Sequence, residues 1–420
     1  ALPFAGSVEQ RESVEALIRF YETGHEAEFR AHSIAWLKTR GGTDYINGFV
    51  EQLKDPRGVI GNFEGMAAYV SDAKLVDRLA DQAEYFEKAM PWPEQFKRSK
   101  VTRPVSNVAS VLVGTGDMGP VPWAGYNLPN YADIRSEVGS KNVIFLNIMT
   151  ARSGKDAEAS LTEFYLPEYR PLVREWGELA TNWNVYMHEI IGHGSGQPDP
   201  SLSDDPRNLI GRSFAALEEA RADLVALYFM PDPKLVEIGA IPEGRQDAVV
   251  EAAYAKYFQG FLNLYSRFQG GTVREAHWKG RQLIFRYLLN GGDGGEGDYG
   301  LSLVQLDGNY FVKIGDPVKV RAGVGTLLRR IQVIKSLGQM EEAEALIDRF
   351  GGSYDEAIAA NISARSKKIG VAKQSAFVFP RLDAVVDRDG TITDVKVRHD
   401  EDLTAQQLRY TRLQQGRDLE

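Results

Sequence analysis

Apolar positions between residues 157 and 368 recur mostly at the three- and four-residue spacing of amphipathic helices, while short β-compatible runs stand before and after. Residues 8 to 40 read as helical, with Val14, Leu17, Ile18 and Tyr21 on one face. Thr43 to Val50 leads into a turn at Lys54-Asp55-Pro56-Arg57-Gly58. Ala73 to Met90 reads as a helix that stops at Pro91-Trp92-Pro93. Val105 to Val113 and Asn142 to Met149 read as strand-like, with a proline-bearing loop, Asn127 to Tyr131, between them. In the helical centre, Asp247 to Phe268 is a long amphipathic segment. Thr272-Val273-Arg274-Glu275 reads as a capping box for a helix that Gly291 ends. The glycine cluster Gly291 to Gly300 reads as a loop, and Asp316–Leu337 and Glu341–Phe350 as a helical pair joined at Gly338. Ala384 to Thr393 carries the Asp-Gly signal of a β-hairpin. β character on both sides of a helical centre predicts two lobes, one completed by both chain ends.

The chemistry concentrates in Tyr186-Met187-His188-Glu189-Ile190-Ile191-Gly192-His193-Gly194-Ser195-Gly196. This is the zinc-hydrolase pattern His-Glu-x-x-His with one residue inserted before the second histidine. Helical residues four apart are offset by about 40° and can converge on one ion, whereas residues five apart are offset by about 140° and cannot. His188 and His193 can therefore share a metal only if the helix widens locally, as a π-bulge does. Gly192, with no side chain, makes that distortion cheaper. Glu189 is placed to act as general base on a water beside the ion. Downstream, Leu217-Glu218-Glu219-Ala220-Arg221-Ala222-Asp223 lies in a helical pattern marked by Phe214, Leu217, Leu224 and Leu227 and ended by Pro231. A carboxylate from this second helix is the expected third ligand, since a catalytic zinc keeps three protein ligands and an open position.

Composition adds bounds. A chain of 420 residues has room for two or more domains. Its net charge of -9 argues against a nucleic-acid partner. No apolar run is long enough to span a membrane. There is no cysteine, which removes disulfides and thiol catalysis. The chain opens Ala1-Leu2-Pro3 without an initiator Met, so it reads as processed or trimmed. A cytoplasmic protein is expected, with export after signal removal as the alternative.

His-Glu-x-x-Gly-His followed by Glu-Glu-x-Arg-Ala-Asp resembles the dipeptidyl peptidase III family, the M49 zinc metallopeptidases. The resemblance implies an α+β, predominantly α, fold of two lobes with a wide cleft. A helical zinc lobe would comprise 64–101 and 151–368. A smaller mixed α/β substrate lobe would comprise 1–63, 102–150 and 369–420. It selects Glu219 as third ligand beside His188 and His193, with one zinc per chain. Glu218 and Asp223 become the groups that orient the two histidine rings. Tyr45 and His277, the latter otherwise a structural histidine, would stabilise the oxyanion, with Arg281 nearby. Asn127 and Asn130 would hold a bound peptide, itself extended along a strand edge. His25 and His32 read as structural.

The sequence also departs from that family. Asp223 and Ala220 stand where many relatives have Glu and Cys. Thr43, followed by Asp44, stands where relatives commonly carry a glutamate that pairs with the substrate's free amine. The long N-terminal region of larger members is absent, so the chain is read as a short member or a truncated form. The basic stretch Arg365-Ser366-Lys367-Lys368, with Lys373, reads as a solvated helix end, or otherwise as a contact for a peptide carboxylate. The expected function is a monomeric zinc peptidase releasing N-terminal dipeptides from short peptides, with no nucleic-acid or membrane partner. The alternatives are an oligopeptidase or other zinc amidohydrolase, and a non-catalytic peptide-binding protein, against which the intact Glu189 argues.

Overall fold

In a computed structural model the chain divides into two compact units: Ala1–Ala73, Val105–Arg152 and Gln374–Glu420 form one, and Lys74–Pro104 with Ser153–Lys373 the other. The structure describes residues 1–40, 42–51, 62–71, 74–101, 103, 105–152, 157–268, 270–295, 297–370 and 376–415. The expected turn at Lys54–Gly58 and the residue Lys373 lie outside them. The fold is α+β and mainly α. Among the described residues no helix is long and apolar enough to cross a membrane.

The first unit is built on a five-stranded sheet in the order β1-β2-β3-β5-β4. The strands are β1 (Thr43–Glu51), β2 (Asn62–Ser71), β3 (Val105–Gly116), β4 (Gly125–Leu128) and β5 (Lys141–Phe145). All neighbours are antiparallel except β3 and β5. β2 places residues 64–71 in this sheet, which corrects the expected start of the helical unit at residue 64. One sheet face buries Ile46, Met66, Ala68, Val111 and Phe145 with Trp36, Leu37 and Phe379. The hairpin of β8 (Arg381–Val386) and β9 (Ile392–Arg398) belongs to the same unit.

Four local expectations are corrected here. Residues 8–40 form two helices, Val8–Thr23 and Glu26–Lys38, parted at Gly24 in the left-handed region (φ 70°). The first helix buries Ser13, Ala16 and Leu17, leaving Ile18 and Tyr21 exposed, so its buried face is rotated from the expected one. Asn142–Met149 is strand only to Phe145, and the helix Leu146–Arg152 follows. Asn127 lies in β4 rather than in a loop.

The second unit is helical except for the hairpin of β6 (Leu301–Leu306) and β7 (Asn309–Ile314), which the helical reading missed despite its Asp307-Gly308 turn. Ala73–Met90 resolves into two helices, Lys74–Ala80 and Ala83–Ala89. The capping box is not formed. Thr272 pairs with Ser353 in an isolated bridge, and the side chain of Glu275 itself caps the helix Ala276–Leu289 by accepting from Trp278 N. Arg365 is not solvated: it is buried and hydrogen-bonds the Glu163 side chain and the Tyr310 carbonyl.

Asp44 has a structural duty. Alternation along β1 leaves Thr43 exposed and turns Asp44 inward, where it is 3% exposed. There it accepts from Trp36 Nε1 (2.8 Å) and Lys141 Nζ (3.3 Å). Burial lowers the Lys141 pKa, and Asp44 opposes that shift. Asp44→Ala should therefore destabilise the protein by about 3–5 kcal/mol, because it strands a buried ammonium. Asp44→Ala with Lys141→Met should recover most of that loss. Urea unfolding of both variants measures this.

Candidate metal centre and active site

The helix Tyr169–Tyr186 runs directly into a π-helical segment, Met187–Gly192. His193 N–H donates to the His188 carbonyl, five residues back, at 3.1 Å. This is the widening that the inserted residue demands. It brings the two Nε2 atoms to 3.1 Å from each other, with the ring planes at 86°. A Cβ on Gly192 would lie 2.9 Å from both Cα and Cβ of Ala222, so the glycine lets the widened turn press against the helix Phe214–Phe229.

That helix supplies three carboxylates. Asp223 Oδ1 lies 2.8 Å from His188 Nδ1, and Glu218 Oε1 lies 3.0 Å from His193 Nδ1. Each acceptor holds an Nδ1–H, which leaves both Nε2 lone pairs free to face a cation. Asp223 reaches its histidine although it is one methylene shorter than Glu. Glu219 Oε2 stands 3.3 Å from His188 Nε2 and 3.9 Å from His193 Nε2. Glu189 joins the two histidines in a cluster whose ligand atoms lie within 4.8 Å of one another.

The residues fit a zinc ion. Two nitrogens about 2.0–2.1 Å from one ion at a tetrahedral angle stand about 3.3 Å apart. Glu219 Oε2 is buried and, among the described residues, makes no hydrogen bond of good geometry, its nearest polar neighbours being Nε2 of His188 and of His277 at 3.3 Å each. A buried carboxylate oxygen beside two imidazole Nε2 atoms suits a cation. Burial resists charging of the His188 ring, yet Asp223 and Glu219 hold its pKa well above the usual range. Burial likewise raises the Glu219 carboxyl, but His277, His188 and His193 overcome it and bring it to about 2.

His277 is brought to the same place, with Nε2 3.3 Å from Glu219 Oε2 and Nδ1 2.6 Å from Glu275 Oε1. Against burial, these two carboxylates raise its pKa to about 9. Arg281, on the same helix, donates from Nε to Asp223 Oδ2 at 3.1 Å. Tyr257 OH donates to the same oxygen at 2.7 Å. Glu218 is further clamped by Arg221 and by Lys335 Nζ at 2.6 Å.

Sequence reasoning missed Glu275, Tyr257, Arg221 and Lys335. Arg221 had a signal, standing three residues after Glu218 on one helix. Tyr257 and Lys335 come from distant helices and had none.

Tyr45, Asn127 and Asn130 lie in the sheet unit. The Tyr45 hydroxyl is 2.8 Å from Ser13 Oγ. Asn127 Nδ2 donates to Asn142 Oδ1. Asn130 donates to Val50 O (2.8 Å) and accepts from Arg135 (3.0 Å). His25 is exposed, whereas His32 is buried against Ser13.

The model of peptidase family M49 matches residues 1–209 and 202–369. The chain is 28% identical over 390 residues to dipeptidyl peptidase 3 of Nematostella vectensis, covering 83% of this chain and 51% of that protein. It is 28% identical over 385 residues to the Homo sapiens dipeptidyl peptidase 3, covering 81% and 51%. The chain thus spans about half the length of these relatives. The fold is similar to the structure of DPP III from Caldithrix abyssi, with a TM-score of 0.72 and 20% identity over 90% of this chain and 68% of that one. DPP III from Corallococcus sp. strain EGB also gives 0.72, at 21% identity over 87% and 64%.

Gly192→Ala should cost about 1–3 kcal/mol of stability, because its methyl meets backbone that cannot yield cheaply. It should also weaken zinc retention, since relieving the clash moves His193. Urea unfolding and competition with a chromophoric chelator measure the two effects.

Proposed function

The chain belongs to peptidase family M49, and from that premise we propose that it is a zinc-dependent peptidase releasing dipeptides from the amino end of short peptides. The observation that carries this reading is the convergence of His188 Nε2, His193 Nε2 and Glu219 Oε2 with Glu189 alongside. The relatives named dipeptidyl peptidase 3 support the reaction class.

His188, His193 and Glu219 would hold the ion, one per chain. When bound, zinc supplies a Lewis acid that acidifies water and polarises a carbonyl. Glu189 accepts the proton of the attacking water and then delivers it to the leaving amine. Water oxygen bonds to the scissile carbon, and the C–N bond breaks. Asp223 and Glu218 keep each ligand ring fixed through its Nδ1–H. The family resemblance assigns donation to the oxyanion to His277 and to Tyr45. Arg281 is anchored on Asp223, so its first duty is to steady that carboxylate. Asn127 and Asn130 hold the peptide with the hydrogen-bonding capacity their internal bonds leave over.

One observation favours a second reading, an oligopeptidase without strict register. Thr43 is uncharged, and Asp44 is buried against Lys141 and Trp36, so neither offers a carboxylate to a substrate amine.

Glu189→Gln should lower turnover about 10²- to 10⁴-fold while zinc content is retained. Turnover near wild type in the zinc-loaded variant would remove Glu189 from the role of base. Peptide register is read by mass spectrometry of products from an unblocked octapeptide and its N-acetylated twin. Dipeptides from the unblocked peptide alone mean that amine recognition survives. Cleavage of both at one internal bond means an oligopeptidase.

A further inference from the structure

Behind Tyr45 lies a buried polar chain that the mechanism above leaves unused. Tyr45 Oη is 2.8 Å from Ser13 Oγ, and Ser13 Oγ is 2.9 Å from His32 Nδ1. Ser13 is fully buried and His32 nearly so. Ser13 comes from the helix Val8–Thr23, His32 from the helix Glu26–Lys38 and Tyr45 from β1.

The direction of this chain follows from one contact. His32 Nδ1 also lies 2.9 Å from the backbone carbonyl of Ser13. A carbonyl oxygen can only accept, so Nδ1 carries the proton and shares it between Ser13 O and Ser13 Oγ. Burial disfavours the charged ring, so the imidazole is neutral and donates only from that nitrogen. Ser13 Oγ therefore accepts from His32, and its own proton must go elsewhere. Two oxygens are in reach: Tyr45 Oη at 2.8 Å and the His32 carbonyl at 3.4 Å. Either hydroxyl can donate across the 2.8 Å contact, but O–H···O bonds are best at about 2.7–2.8 Å, and the polarity that gives the serine its better bond has Ser13 donating to Tyr45. Tyr45 Oη then accepts from behind, and its own proton is left to donate outward. A phenol that accepts one hydrogen bond is also a stronger donor in the next.

We infer that Ser13, backed by His32, is a positioning residue that turns the hydroxyl proton of Tyr45 toward substrate oxygen. This rests on the oxyanion role proposed for Tyr45. The opposite polarity, Tyr45 donating to Ser13, would make Ser13 a competitor of the substrate and reverse the effect of removing it.

A double-mutant cycle separates these cases. The kcat and KM of wild type, S13A, Y45F and S13A/Y45F are measured on one peptide with zinc-loaded protein, zinc content and Tm being checked for each. Loss of one oxyanion donor costs about 10²-fold or more, so Y45F should fall by that order and S13A, which only misorients the donor, by about tenfold in kcat at unchanged KM. In the Y45F background S13A should change nothing. An unchanged or higher kcat for S13A, or an equal loss in both backgrounds, overturns the inference. A Y45F variant with wild-type kcat instead overturns the reading of Tyr45, and the inference with it. Should S13A fail to fold, S13C takes its place in the cycle, being close in volume but a weak donor.

Discussion

A single hydrogen bond, from His193 N–H to the carbonyl of His188, sets the geometry on which the proposed metal centre depends. In a regular helix the two rings would point apart; the five-residue bond turns them to within 3.1 Å at their Nε2 atoms. The widened turn needs a close neighbour to hold it, and small residues permit one. Gly192 abuts Ala222 on the helix Phe214–Phe229. Across the same helix, a Cβ on Gly280 would meet Ala216 O at 2.9 Å and Ala220 N at 3.0 Å. Two of the elements packed on the central helix thus approach it through a glycine. That double approach carries His188 and His193 to one side of Glu219, and His277 to within 3.3 Å of the same carboxylate.

The spacing of His188 and His193 made the π-turn legible, because no regular helix could satisfy one ion from those positions. The helix of Glu218, Glu219 and Asp223 was equally plain from its period and from Pro231. What failed were features that depend on tertiary partners. The helical reading of 8–40 did not mark the break at Gly24, which takes a left-handed turn. Thr272 has the local chemistry of a cap, but its backbone pairs with Ser353, eighty-one residues away in sequence, so Glu275 takes over the cap. Arg365 sits in a basic run that reads as solvated; Glu163 and the Tyr310 carbonyl, both distant in sequence, draw it inside. Lys335 could not be foreseen, since nothing local to it marks a partner on another helix.

The same limit bears on specificity. Thr43 and Asp44 are adjacent in sequence, so a carboxylate at 44 looks like a near substitute for one at 43. In a strand, adjacent side chains point to opposite faces. A shift of one position therefore does not move the charge by a few ångströms along the same surface; it sends the charge through the sheet. Asp44 is committed to Trp36 and Lys141, whose ammonium also lies 4.1 Å from the Trp36 ring centre. Freeing it for a ligand would uncover a buried cation, a cost that a solvated amine outside could not offset.

The three carboxylates of the central helix are chemically alike, and their surroundings tell them apart. Glu218 receives four donors: His193 Nδ1, Arg221 Nε, Arg221 Nη2 and Lys335 Nζ. Asp223 receives three, from His188 Nδ1, Tyr257 and Arg281. Both are held far on the ionised side, against burial, by the cations beside them. A carboxylate so fully engaged can fix the direction of a ring N–H, but its charge is already answered and it has no oxygen to spare for an ion. Glu219 differs, because its Oε2 faces imidazoles, with Nε2 of His188 and of His277 each at 3.3 Å and that of His193 at 3.9 Å. The two neighbours are occupied in aiming the histidines, and Glu219 stands beside both Nε2 atoms. This contrast supports the proposed choice of Glu219 over Glu218 as the third ligand.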